Sequence, residues 1–170
     1  MKLKLLFVSL LGISTIVFYA CKKEGAQTEF KVYLTDAPAA WDEVNIDLKE
    51  VQVKLSKGDT TKWLSLQTTS GIYNLLQFQN GLDTVIAQGA FPTGEVVKEI
   101  RLIVGNDNSI VVAGQDYPLT IPSGAETGLK IKVHKPLQAS IENVLIDFDA
   151  ELSIKQESDS YKLLPVIQLR

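Results

Sequence analysis

From Phe30 onward, apolar and polar residues alternate with a period of two. Phe30, Val32 and Leu34 alternate with Lys31, Tyr33 and Thr35, and Val44, Ile46 and Leu48 alternate with polar partners. Val51, Val53 and Leu55 continue the pattern with the opposite parity. A one-residue slip turns every side chain to the other face of a strand, so a bulge or bend is expected at Lys49-Glu50. Ile100, Leu102 and Val104, then Leu129, Ile131 and Val133, then Val144, Ile146 and Phe148 repeat the alternation. Tyr161, Leu163, Ile167 and Leu169 close the chain as a last strand, in which Pro165 points to an edge or a bulge. Strict alternation marks strands with one wet face. Gly58-Asp59, Gly105-Asn106-Asp107, Gly114, Pro122-Ser123-Gly124 and Ser158-Asp159-Ser160 punctuate them as turns. Only 70–79 or 81–89 has room for a helical turn. Short strands at this spacing suggest an antiparallel sandwich or barrel, and the fold expected is all-β, an antiparallel immunoglobulin-like or transthyretin-like β-sandwich over residues 30–170.

The first twenty residues follow another rule. Lys2 and Lys4 precede an almost wholly apolar run from Leu5 to Phe18, and Ala20 and Cys21 follow. A positive start, an apolar stretch and a small residue at the cut form a secretory signal. Cysteine directly after the cut makes the segment resemble a lipoprotein signal, with cleavage after Ala20 and acylation of Cys21. Phe18 and Tyr19 depart from the commonest residues there. The run is shorter than the roughly 20 apolar residues of a spanning helix. Residues 1–20 are therefore read as a lipoprotein signal and 21–29 as a lipid-anchored tether. The expected location is the cell envelope, at the outer membrane, on its periplasmic or its surface face.

Composition narrows the chemistry. The chain has 170 residues, 45% hydrophobic and 22% charged, with one Cys, one Met, one His and a net charge of −3. The signal carries two Lys and no acid, so its removal takes −3 to −5. An acidic chain argues against nucleic acid as a partner, because phosphate binding needs a basic face. One cysteine permits no internal disulfide, and a Cys/His zinc site needs about four soft ligands. The sequence contains neither a GxSxG elbow nor HExxH nor an EF-hand loop, and residues 124–130 lack the length and ending of a phosphate loop. His134 reads as a surface histidine at a turn after the 129–133 strand.

The acids are the remaining candidates. Asp36 ends the first strand, Asp107 lies in a turn, and Asp147 and Asp149 share a strand face with Glu151. Carboxylates about 6.6 Å apart along that face, with others from strand ends and turns, are candidate Ca²⁺ ligands. The alternative is a solvated face with Asp side chains capping turn amides. A carboxylate pair also suits a glycosidase. Trp41 and Trp63 read as core or edge packing, with sugar stacking as the alternative.

Several segments together resemble a bacterial lipoprotein domain family of unknown function, numbered 4382. They are Val32-Tyr33-Leu34-Thr35-Asp36-Ala37-Pro38, Gly81-Leu82-Asp83-Thr84-Val85-Ile86-Ala87, Glu99-Ile100-Arg101-Leu102-Ile103-Val104, Ile121-Pro122-Ser123-Gly124, Gly128-Leu129-Lys130, Leu145-Ile146-Asp147-Phe148-Asp149-Ala150 and Tyr161-Lys162-Leu163-Leu164-Pro165-Val166-Ile167. They occur in order from about Phe30 to Arg170. The resemblance implies a lipid-anchored all-β envelope domain and brings no catalytic residues. Three functions follow. The first is a non-enzymatic binding or structural module for a glycan, peptide or protein, held to the membrane through lipid on Cys21. The second is a metal-dependent or carboxylate hydrolase of envelope or extracellular carbohydrate, using Asp36, Asp107, Asp147 or Asp149. The third is a filament or adhesin subunit, which an unpaired final strand would favour.

Overall fold

The computed structural model describes residues 25–122, 128–158 and 160–170. The signal segment and Cys21 lie outside the described residues, as do Ser123-Gly124 and Asp159 of two expected turns. In chain order the strands are β1 (Gln27–Thr35), β2 (Glu43–Lys57), β3 (Thr60–Ser65), β4 (Gln67–Thr68), β5 (Gly71–Asn74), β6 (Thr84–Pro92) and β7 (Val96–Val104). They continue with β8 (Ser109–Val112), β9 (Gln115–Thr120), β10 (Leu129–Pro136), β11 (Ile141–Phe148), β12 (Ile154–Glu157), β13 (Ser160–Leu163) and β14 (Ile167–Leu169). A 3-10 turn at Leu75–Phe78 falls in the first of the two expected helical windows, whereas 81–89 lies largely in β6. One helical turn, α1 (Ala150–Ser153), follows β11.

Two sheets pack as a sandwich. The smaller has the order β14-β11-β1-β6-β4, and the larger runs β10-β7-β2-β8-β9-β13-β12 with β3 and β5 also on β2. Most pairings are antiparallel, but both sheets are mixed. β1 runs parallel to β11 over seven residue pairs, and β13 runs parallel to β9. The expected antiparallel sandwich holds for most pairings; the two parallel ones leave no trace in the sequence, because alternation reports which face is buried and carries no strand direction. Fully buried Phe30, Ile86 and Phe148 from the smaller sheet and Val51, Val53 and Ile100 from the larger fill the layer between them.

Strand β2 is the spine of the larger sheet. Along one edge it pairs with β7 and then β8, and along the other with β3 and then β5. The β7 register shifts between Leu48 and Glu50, which is the expected slip at Lys49-Glu50. Between β7 and β8 the chain turns through 105–108, and Asp47 holds that turn. The Gly105 amide donates to the Asp47 carbonyl at 2.7 Å, and the Asp47 amide donates to Asn108 Oδ1 at 2.9 Å. Between β3 and β5 the chain leaves the sheet. The Leu66 amide still donates to the Val51 carbonyl, but Gln67 and Thr68 pair with β6 in the smaller sheet. This excursion stitches one side of the sandwich.

The last stretch departs from expectation as well. It is two strands in different sheets rather than one, with Pro165 in the crossing between β13 and β14. A proline has no amide to give to a ladder, so pairing stops there and the chain is free to change sheets.

Candidate functional site

The crossing at Pro165 packs over α1, and there the end of β1 meets the end of β11. Three of the four predicted acids gather at this point. Asp36, Asp147 and Asp149 are 2%, 0% and 9% exposed. Thr35 Oγ1 lies 2.8 Å from the carbonyl oxygens of both Phe78 and Leu82, which fixes the end of β1 against the 3-10 turn. Asp36 is thereby aimed inward. Its Oδ1 accepts the Ala150 amide at 2.8 Å, and its Oδ2 accepts Gln79 Nε2 at 3.0 Å. Asp149 is the N-cap of α1, with Oδ1 accepting the Leu152 amide at 2.9 Å. Asp147 Oδ2 accepts Arg170 Nε at 2.7 Å and Gln168 Nε2 at 3.2 Å. Its Oδ1 is buried and meets no hydrogen-bond partner among the described residues.

Burial raises the pKa of Asp36 above the ordinary carboxylate value, and the charges of Asp147 and Asp149 push the same way. The bonds from Ala150 and Gln79 oppose them. The three acids thus lie buried together, and each gives at least one oxygen to a donor of the fold.

Asp107 is elsewhere. It is exposed in the turn between β7 and β8, and its amide lies 3.4 Å from Asp47 Oδ2. Asp47 in turn pairs with Lys49 at 2.8 Å. The predicted set of Asp36, Asp107, Asp147 and Asp149 therefore divides between two places. Glu151 does not continue a strand face with Asp147 and Asp149. Strand β11 ends at Phe148, and Glu151 stands exposed on α1, where its carboxylate accepts the Ala40 amide at 3.2 Å. The Asp149 cap starts a helical turn where the alternation alone suggests more strand. Among the described residues, no group of three or more His, Cys, Asp or Glu side chains is arranged to hold a metal ion.

The two tryptophans take different places. Trp41 is half-buried against the core and meets the ring of Tyr161 edge-on, at 6.3 Å and 81°. Trp63 lies on the outer face of the larger sheet, where the Arg101 guanidinium stands 3.9 Å from its ring centroid and Lys54 Nζ 5.9 Å.

That outer face is a second feature. Cross-strand pairing puts Trp63, Lys54, Glu99 and Lys132 in one row, and Ser65, Gln52, Arg101 and Lys130 in the next. Two irregularities then adjoin. Strand β7 carries Lys98 as an extra residue against β2, and β10 carries an extra residue against β7 between Lys132 and Lys135. His134 lies in that second bulge with φ at 54°. The histidine expected after a strand thus sits inside β10, in the left-handed region that a bulge commonly gives to glycine. Bulges re-aim side chains. Lys54, Lys98, Lys132 and His134 line a groove of about 310 Å³ together with Thr61 and Glu99. Glu99 binds Lys54 at 2.9 Å. Among the described residues, neither Lys98 nor Lys132 forms an ion pair. Sequence reasoning passed over this face. Alternation marks its residues as wet, but only the bulges bring Lys98 and His134 beside Lys132.

The final strand bears on the filament reading. β13 pairs with both β9 and β12, whereas among the described residues β14 pairs with β11 alone and ends its sheet. The last stretch is thus paired, in a sheet that leaves an edge.

A mixed two-sheet sandwich with a cluster of buried acids at one end and a polar sheet face is the class of domain that these features define. The family model described as Domain of unknown function (DUF4382) matches residues 27–165, and the chain belongs to that family. No curated protein matches it. No solved structure matches it.

Proposed function

We propose that the chain is a lipid-anchored, non-enzymatic module of the cell envelope that binds a glycan, a peptide or a protein. The anchor reading rests on the apolar run that ends in Ala20-Cys21 behind Lys2 and Lys4. Two or three acyl chains on Cys21 hold a protein to a bilayer, since each buried CH₂ contributes about 0.8 kcal/mol. The outer membrane is the expected site, on either face.

The observation that carries the non-enzymatic reading is the state of the acids. A general acid or nucleophile must reach substrate. Asp36, Asp147 and Asp149 instead accept bonds from Ala150, Gln79, Arg170, Gln168 and Leu152 within the fold. Their raised burial and short bonds suit a structural clasp that ties β1, β11, α1 and the end of the chain together.

The test is product analysis. The purified chain is incubated with envelope polysaccharide preparations, with and without added Ca²⁺, and the polymers are sized by chromatography. A binding module returns them at unchanged length. Cleavage that is lost in Asp36→Asn or Asp147→Asn overturns the reading in favour of a hydrolase.

A further inference from the structure

We infer that the outer face of the larger sheet, centred on the Lys54, Lys98, Lys132 and His134 groove, is a docking surface for an acidic polysaccharide. The inference deepens the reading of the domain as a binding module by naming a ligand class and a place.

Charge is the first argument. The groove holds three lysines against one carboxylate, Glu99, which Lys54 already neutralises. The next cross-strand row adds Arg101 and Lys130 on the same face. These two rows, with the bulge residue Lys98, therefore carry five cations against Glu99, with Glu50 held by Ser65 at their margin, in a chain whose net charge is −3. Clustered cations on an acidic molecule attract a polyanion locally while the remainder of the surface repels it.

Shape and local backbone are the second. A sheet face is flat and extended, which suits a linear polymer laid across several strands. The adjoining bulges of β7 and β10 bring Lys98 and His134 to the rim of one groove. His134 does so in a backbone region that costs a non-glycine residue about 1 kcal/mol or more, and such strain persists where the surroundings impose it.

The third argument favours sugar over a phospholipid surface. Trp63 lies in the same row as Lys54, Glu99 and Lys132, and an aromatic ring matches the apolar face of a pyranose. The Arg101 guanidinium stacks on the ring 3.9 Å from its centroid and covers one of its faces, so a sugar would meet the part that stays exposed. Arg and Lys beside an aromatic platform give an acidic sugar both of the contacts that it needs.

The test uses the full chain, purified in detergent, with immobilised polygalacturonate and dextran sulfate as probes and neutral dextran as reference. Binding is measured at 0.15 M salt and again at 0.5 M. The expected result is retention on at least one acidic polymer and not on neutral dextran, weakening at high salt. The double substitution Lys98→Glu with Lys132→Glu is expected to weaken it about tenfold or more, with an unchanged melting temperature. Trp63→Ala is expected to weaken it at both salt concentrations. The same charge change on a distant surface, Lys31→Glu with Lys155→Glu, is expected to leave it intact. Equal binding by the Lys98/Lys132 variant overturns the inference. So does a chain that binds vesicles of anionic phospholipid through these lysines and neither acidic polymer. Such a failure removes the site and the ligand class alone, because the module reading stands or falls on whether polymers are cleaved.

Discussion

Asp36 offers the sharpest test of the acid pocket as a structural clasp. Two substitutions separate its charge from its hydrogen bonds. In Asp36→Ala, the buried Ala150 amide loses the oxygen that it reaches at 2.8 Å, and Gln79 Nε2 loses its partner at 3.0 Å. A buried donor left unpaired costs about 1–3 kcal/mol. Removal of a desolvated carboxylate beside Asp147 and Asp149 offsets part of that. A net loss of about 2 kcal/mol corresponds to roughly 4–8 °C in melting temperature at this size. Asp36→Asn keeps an oxygen for Ala150 and discards the charge, but its Nδ2 faces Gln79 Nε2, and a flip of that amide gives up the 3.2 Å bond to the Ala37 carbonyl, so its cost is expected to be about 1 kcal/mol, below that of alanine.

The pH dependence has a definite sign. Burial raises the folded-state pKa of Asp36, so the native state binds this proton more tightly than the unfolded chain. Its contribution to stability is fully present below the unfolded value of 3.8 and is lost as pH rises through the raised folded value. Asp36→Asn lacks this loss. Relative to wild type it gains stability from pH 3.8 upward. Denaturant melts at several pH values, followed by circular dichroism, measure the difference. An alanine variant no weaker than the asparagine variant, with a gap from wild type that does not change with pH, refutes the reasoning.

Three further outcomes are expected. Gly105→Ala destabilises the fold by about 1–3 kcal/mol, because its Cβ would overlap the Asp47 carboxylate, whose Cγ lies 2.8 Å away, and Lys49 Cε. A chemical melt checks this, and an unchanged midpoint contradicts it. Arg170→Ala removes the 2.7 Å partner of the fully buried Asp147, and because Arg170 is half exposed and Gln168 still donates to Asp147, it costs about 1–3 kcal/mol by the same assay. A loss below about 0.5 kcal/mol would show the pair to be of surface strength. EDTA is expected to leave the melting curve in place. A fall in melting temperature would assign a bound cation to this chain.

Legibility in the sequence followed the physics of each feature. Period-two alternation encodes burial, so the two-layer β fold and the slip at Lys49-Glu50 could be read directly. Strand direction leaves no such trace, and the parallel pairing of β1 with β11 was missed. The Pro165 signal was sound, but the outcome was a change of sheet, which depends on partners distant in the chain. Asp36, Asp147 and Asp149 were picked out as residue types and do meet. Asp107 does not join them, because strand ends converge only where the sheets place them, and the turn at 105–108 is held by Asp47 instead. The basic groove stayed hidden for a related reason. A bulge requires two strands, and the sequence shows each of them singly.

Attachment through lipid on Cys21 is the central proposal, and an intact mass tests it directly. The chain, expressed from Met1 in a Gram-negative host, is extracted from membranes and measured by mass spectrometry. The predicted product begins at Cys21 and carries a diacylglyceryl group with or without an N-acyl chain. A product that retains Met1, or one that begins near residue 21 with a free thiol, contradicts the account.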